Sequence, residues 1–165
     1  MKKKLIFICL FLIIPIKAFA LIEVDITRGN LNPLPLAVSP LSIDENSKKS
    51  FEKILDKENI GSEISIIVEN NLRTSGLFNP LNKDAFLQAP DIANLKPRFE
   101  DWNLIKAQAL ITGKVSYVDD KLRVEFRLWD VLAAKEMMAL AFTTVPNNWR
   151  RVGHIISDKV YERLT

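Results

Sequence analysis

Between Ala107 and Val145 the chain reads as three strand-length runs with little between them, and this stretch constrains the fold more than any other. In the middle run, Lys121 to Leu132, the residues Leu122, Val124, Phe126 and Leu128 alternate with Arg123, Glu125, Arg127 and Trp129. A period of two puts the first set on one face of a strand and the second on the other. The flanking runs are Ala107 to Val118 and Lys135 to Val145. Asp119-Asp120 and Ala133-Ala134 stand where two tight hairpin turns belong, although neither is the favoured Asn-Gly pair. Strands joined in this way form an antiparallel meander.

The residues on either side add helices. Ile60, Ile64, Ile67, Val68 and Leu72 recur at helical spacing, with Glu63, Glu69, Asn70 and Arg73 opposite them, and Gly76 supplies a left-handed stop. After the meander, Pro146-Asn147-Asn148 reads as a break and cap before a last helix with the stripe Trp149, Val152, Ile156, Val160 and Leu164. Upstream, Leu34 to Leu41 is apolar and bounded by prolines, as a strand entering the core would be, whereas Ser42 to Asn59 is polar and reads as a loop with one helical turn near Phe51 to Leu55. A loop carrying Pro80, Pro90 and Pro97 follows the first helix, and Phe99 to Lys106 reads as a short second one. The expected fold is α+β: a mixed sheet containing an antiparallel meander, with two to three helices packed on it.

The first thirty residues belong to a different regime. Lys2-Lys3-Lys4, the apolar run Leu5 to Ile14, Pro15 and the small-x-small site Ala18-Phe19-Ala20 make an export signal, with cleavage between Ala20 and Leu21. Leu5 to Ile16 is too short to span a bilayer, which takes about 20 residues. Residues 1–20 are therefore expected to be removed and the remainder delivered to the periplasm. Four of the chain's 23 Lys and Arg residues lie there, and without them 19 face 20 Asp and Glu, a body charge of −1. A nucleic-acid binder wants a basic body, so that class is disfavoured. Cys9 is the only cysteine and lies inside the signal, which removes disulfides and thiolate chemistry from the exported chain.

Chemistry-bearing constellations are scarce. Only five glycines are present and none cluster into a phosphate loop. One histidine, His154, lies on the last helix four residues before Asp158; the two can touch, but a triad also needs a nucleophile. Asp44-Glu45 and Asp119-Asp120 are adjacent carboxylates, without the separated, facing geometry of a hydrolase. Arg123, Arg127, Arg150 and Arg151 alternate with acids and read as a solvated face. Trp102, Trp129 and Trp149 read as packing residues at element ends, with Trp129 covering either a helix or a partner. No cofactor or metal is expected, the chain reads as a non-enzyme, and nothing suggests an obligate dimer, so a monomer is expected. The alternatives are a nucleic-acid- or ligand-binding module and a hydrolase using His154.

What stands out is Leu21-Ile22-Glu23-Val24-Asp25-Ile26, followed by Thr27 and Arg28. Ile22, Val24 and Ile26 share one face and Glu23 and Asp25 the other, a short strand joined to the body through Gly29, Asn30, Pro33 and Pro35. Such a strand either pairs with its own sheet or adds to a sheet edge on another protein.

Three further segments resemble the TolB amino-terminal domain family. Asn71-Leu72-Arg73-Thr74-Ser75-Gly76-Leu77-Phe78-Asn79-Pro80-Leu81 is similar to that family's helix-end pattern L-R-x-S-G-x-F-x-P-L. Trp102 followed by Ala107 to Gly113 resembles a second pattern, with Lys106 standing near a position where the family often has glycine. The run from Trp149-Arg150-Arg151-Val152-Gly153-His154 to Thr165 is the most specific of the three. The resemblance implies an α/β domain over residues 31–165, preceded by a partner-binding segment over 21–30. It also implies a non-enzymatic role in the Tol–Pal envelope system, in outer-membrane integrity and constriction at cell division. By the same resemblance, Leu21, Ile22, Glu23, Val24, Asp25, Ile26, Thr27 and Arg28 would engage the C-terminal domain of TolA. The family normally continues into a β-propeller that contacts the lipoprotein Pal.

Overall fold

The ten residues Ala109–Val118, buried on both faces over their first half, make β4, the strand from which the rest of the sheet is organised. A computed structural model describes residues 32–165. β1 (Leu34–Val38) and the two-residue β2 (Ser42–Ile43) lie end to end along one side of β4, both parallel to it. The apolar run expected over Leu34 to Leu41 thus breaks at Pro40, which has no N–H to give a ladder. β3 (Phe78–Pro80) adds parallel to β1, and β5 (Lys121–Asp130) and β6 (Lys135–Thr144) extend the other side as an antiparallel meander. The order is β3-β1-β4-β5-β6, with β2 also on β4.

The two turns of the meander solve the same problem differently. Asp119 and Asp120 both take left-handed backbone (φ 50° and 58°), and Val118 pairs with Lys121 across them, the two-residue turn whose twist matches the strands. The β5–β6 connection spans Val131 to Ala134, longer than Ala133-Ala134 alone; Asp130 caps it by accepting from the Ala133 N–H at 2.8 Å, and Ala134 carries the positive φ.

One face of the sheet holds the main core. Leu36 and Val38, Ile111 and Val115, and Leu122, Val124, Phe126 and Leu128 project toward three helices: α1 (Glu45–Leu55), α2 (Ile60–Thr74) and α5 (Trp149–Leu164). All five residues of the stripe expected on α5 are buried, as are Ile60, Ile64, Val68 and Leu72 on α2. Helices α2 and α5 pack side by side, and Gly153 makes that possible: a Cβ there would lie 2.9 Å from Ile67 Cγ2. Gly76, at φ 74°, follows the end of α2 as its composition suggested.

The opposite face is covered at one end only. α3 (Pro90–Leu95) and α4 (Phe99–Leu104) enclose a second cluster made of Ala37, Ala93, Trp102, Ala107, Leu110 and Val131. The Gln88 side chain ties this layer together, accepting from Trp102 Nε1 at 2.9 Å and from the Arg98 N–H at 3.0 Å while donating to the Lys96 carbonyl.

Three readings of the sequence need correction. The polar stretch Ser42 to Asn59 is not a loop but β2 followed by the eleven-residue α1. Asp44 starts that helix by accepting from the Ser47 N–H at 2.9 Å, and only Ser47 and Phe51 are buried on it, too few apolar residues to declare a period. The proline-bearing loop contains β3 and α3, the latter with Pro90 in its first turn, where a missing N–H costs nothing. Asn148 does not cap α5 with its side chain; its amide donates to Thr144 Oγ1 instead. Among the described residues five α-helices result, three long ones on the core face and two short ones on the other.

Candidate protein-interaction site

The segment singled out for partner binding, Leu21 to Arg28, and the cleavage position Ala20/Leu21 lie outside the described residues. The structure places what that segment is attached to. The chain enters at Asn32 and Pro33, and at Leu34 the backbone N–H donates to the Leu77 carbonyl at 2.8 Å. β1 has neighbours on both sides, so the entry point is in the interior of the sheet rather than at an edge. Following the register across, Leu36 is level with Ala109, Ala109 with Asp130 and Asp130 with Lys135, so the chain enters at the end of the sheet where β5 turns into β6.

The remaining candidates resolve into structural roles. His154 is exposed, and its Nδ1 lies 2.8 Å from Asn71 Nδ2, not on Asp158. The same amide donates to Ser157 Oγ at 3.1 Å, and Ser157 in turn donates to the Gly153 carbonyl. This group ties α2 to α5; it contains no activated nucleophile and no acid orienting the ring, so the hydrolase arrangement of His154 with Asp158 is not formed. Trp129, on the polar side of β5, packs edge-on against Phe99 of α4 and donates to Thr112 Oγ1, so it covers a helix. Trp102 is buried, and Trp149 is buried with Arg150 and Lys57 above its ring. Arg123 pairs with Glu125 and Arg127 with Glu136, as the alternation of charges implied.

Electrostatically, Asp44 and Glu69 are among the carboxylates held below their ordinary values. Asp44 is lowered chiefly by the Ser47 N–H it accepts, against a partial opposing effect of burial. At Glu69 burial pushes upward, but hydrogen bonds from Arg73 and Lys83 outweigh it and bring the group down. Both serve the scaffold: the first caps α1, and the second links α2 to the turn that follows β3. Among the described residues no group of three His, Cys, Asp or Glu side chains is placed to hold a metal ion, and no helix is long and apolar enough to cross a membrane.

One feature escaped the sequence analysis. β6 was expected as the third strand of the meander, but nothing in its pattern says that it is last in the sheet, with β5 as its only neighbour among the described strands. Its available signal is the run Met137 to Thr144, eight residues without charge or proline.

With this geometry in hand, three comparisons bear on the chain. The family model described as the TolB amino-terminal domain matches residues 22–137. The Tol-Pal system protein TolB of Pelagibacter ubique (strain HTCC1062) is 85% identical over 156 residues, covering 94% of this chain and 35% of that protein. The crystal structure of TolB from Acinetobacter baumannii superposes with a TM-score of 0.63 at 21% identity, over 88% of this chain and 31% of that one. The chain thus spans about a third of the length of each of these relatives.

Proposed function

The chain belongs to the TolB amino-terminal domain family, and from that premise we propose that it is a periplasmic, non-enzymatic adaptor of the Tol–Pal envelope system. Its binding element is the strand Leu21 to Arg28, which adds to a sheet edge of the C-terminal domain of TolA. Main-chain hydrogen bonds supply the affinity, and Ile22, Val24 and Ile26 set the register by facing the partner's core, with Glu23 and Asp25 on the outer side. The observation that carries this reading is the alternation of that segment directly upstream of a Gly- and Pro-bearing linker. The linker's attachment at an interior strand supports it, because β1 is already paired on both sides and neither of its ladders is open to a partner. The export signal supports the compartment. Contact with Pal belongs, in this reading, to the propeller that follows this domain in the family.

Calorimetric titration against the C-terminal domain of TolA tests the proposal, with one version of the chain starting at Leu21 and a second starting at Gly29. Every described element lies beyond Asn32, so both versions contain all of them. A strand-sized interface predicts micromolar-range binding by the first, and no heat from the second. Val24→Pro removes one ladder donor and is expected to abolish binding while leaving the thermal transition in place. Binding that survives both trimming and the proline would move the site onto the domain body.

A further inference from the structure

We propose that the free edge of β6, with the groove between it and the start of α5, is a second strand-binding site, which accepts an extended segment of another protein carrying acidic residues at both ends. The site is distinct from Leu21 to Arg28: there the chain donates a strand, here it receives one.

The geometry of the edge carries the inference. β6 is ten residues long and hydrogen-bonds only to β5 among the described strands. Exposed edges of this length are normally blunted by charge, proline or a bulge. Here the devices are confined to the first three residues: Lys135 and Glu136 are charged, and Met137 is the extra residue of a bulge, since Leu128 pairs with Met138 and Trp129 with Glu136. From Met138 to Thr144 the register is regular, and no charge or proline interrupts it. Beside that stretch lies a groove of about 370 Å³, walled by Phe142 and Thr144 on β6 and by Asn148, Arg151, Val152 and Ile155 at the start of α5. Leu140 projects to the same side and is 38% exposed, because α5 does not reach over it. An added strand would lay alternate side chains into this groove, whose lining is half apolar and half polar, while its backbone completes the ladder.

Charge selects the occupant. Lys135 stands at one end of the edge and Arg151 at the other, both exposed, and neither is in an ion pair with a described residue. The centre between them is uncharged. The complementary strand therefore has an apolar alternation in its middle and Asp or Glu at its ends. The chain's own Leu21 to Arg28 has the opposite order. Entering from the Lys135 end of the sheet, it would bring Arg28 against Lys135 and place Glu23 and Asp25 over the uncharged centre. An external acidic segment fits better.

The test uses the whole chain with three fluorescein-labelled peptides: the acid-flanked DEVTVTVED, its base-flanked counterpart KKVTVTVKK, and LIEVDITR, the chain's own segment. Fluorescence anisotropy is expected to show the acid-flanked peptide binding about tenfold or more tightly than the base-flanked one, as like-charge contacts at both ends predict, and more tightly than LIEVDITR, which brings a like charge at Arg28 only. Hydrogen exchange should show the added protection in β6. The double variant Lys135→Glu with Arg151→Glu, both changes at exposed positions, should reverse the preference between the first two peptides. Equal binding of the acidic and basic peptides, no binding at millimolar peptide, or protection elsewhere than β6 overturns the site. Tightest binding by LIEVDITR overturns the external occupant in favour of the chain's own segment. Self-association that blocks the acidic peptide overturns it in favour of a second copy. The chain starting at Gly29 should still bind the acidic peptide, so loss of TolA binding and loss of this site are separable.

Discussion

Gly153 shows how much one residue can set. A methyl group there meets Ile67 Cγ2 at 2.9 Å and Cβ at 3.0 Å, on the helix that α5 packs against. Gly153→Ala is therefore expected to destabilise the domain by about 1–3 kcal/mol, the usual cost of overpacking, despite alanine's better helix propensity; chemical denaturation would show it, and an unchanged midpoint would mean that the two helices separate freely. Lys106 presents the opposite case. It holds φ 63° just past α4, with its own N–H on the Asn103 carbonyl and the Ala107 N–H on that of Trp102, the paired bonds of a helix end that favours glycine. Lys106→Gly should raise stability by about 0.5–1 kcal/mol, since it relieves the left-handed strain of a side-chain-bearing residue. The departure from the family pattern noticed in the sequence is thus a strained position. A lower thermal midpoint for that variant would mean that the lysine stem contributes packing not visible in its contacts.

At the level of elements, the caps and cross-ties are titratable. Asp44 caps α1, and its partner Ser47 also accepts from the Tyr117 N–H at 2.8 Å, so helix and sheet share one hydrogen-bonded node. Asp44→Ala is expected to cost about 1–2 kcal/mol, at the upper end for a cap because the node reaches β4; a cost near zero would leave α1 to be positioned by Phe51 alone. Glu69 joins Arg73 on its own helix and Lys83 beyond β3. Its folded-state value is lowered, so its contribution is present above the ordinary 4.5 and lost as pH falls through the folded value. Glu69→Gln should cost about 0.5–1 kcal/mol near neutral pH, the range for a partly exposed pair, and less at pH 3. A variant equally destabilised at both pH values would assign the loss to packing rather than charge. α1 itself was hidden in the sequence because its burial rests on two residues, whereas α2 and α5, each with four or five buried apolar positions, were plain.

For the molecule as a whole, the sequence by itself determined the class of the sheet, its meander, its two long helices and the face that β5 buries, because periods of two and 3.6 are written into consecutive residues. Local alternation also supplied Leu21 to Ile26 as a candidate strand, which the family resemblance extended to Arg28 as a binding segment. Only the tertiary structure decided which strands are neighbours without being consecutive. β1 lies between β3 and β4, and β3 is three residues with a proline, too short to carry a pattern of its own. His154 found Asn71, 83 residues away, rather than Asp158 on the next turn of its own helix. Trp129 found Phe99. The open side of β6 is likewise a property of the sheet order and not of β6: the same ten residues in the middle of a sheet would read identically. Position at an edge depends on long-range pairing, which no local period records.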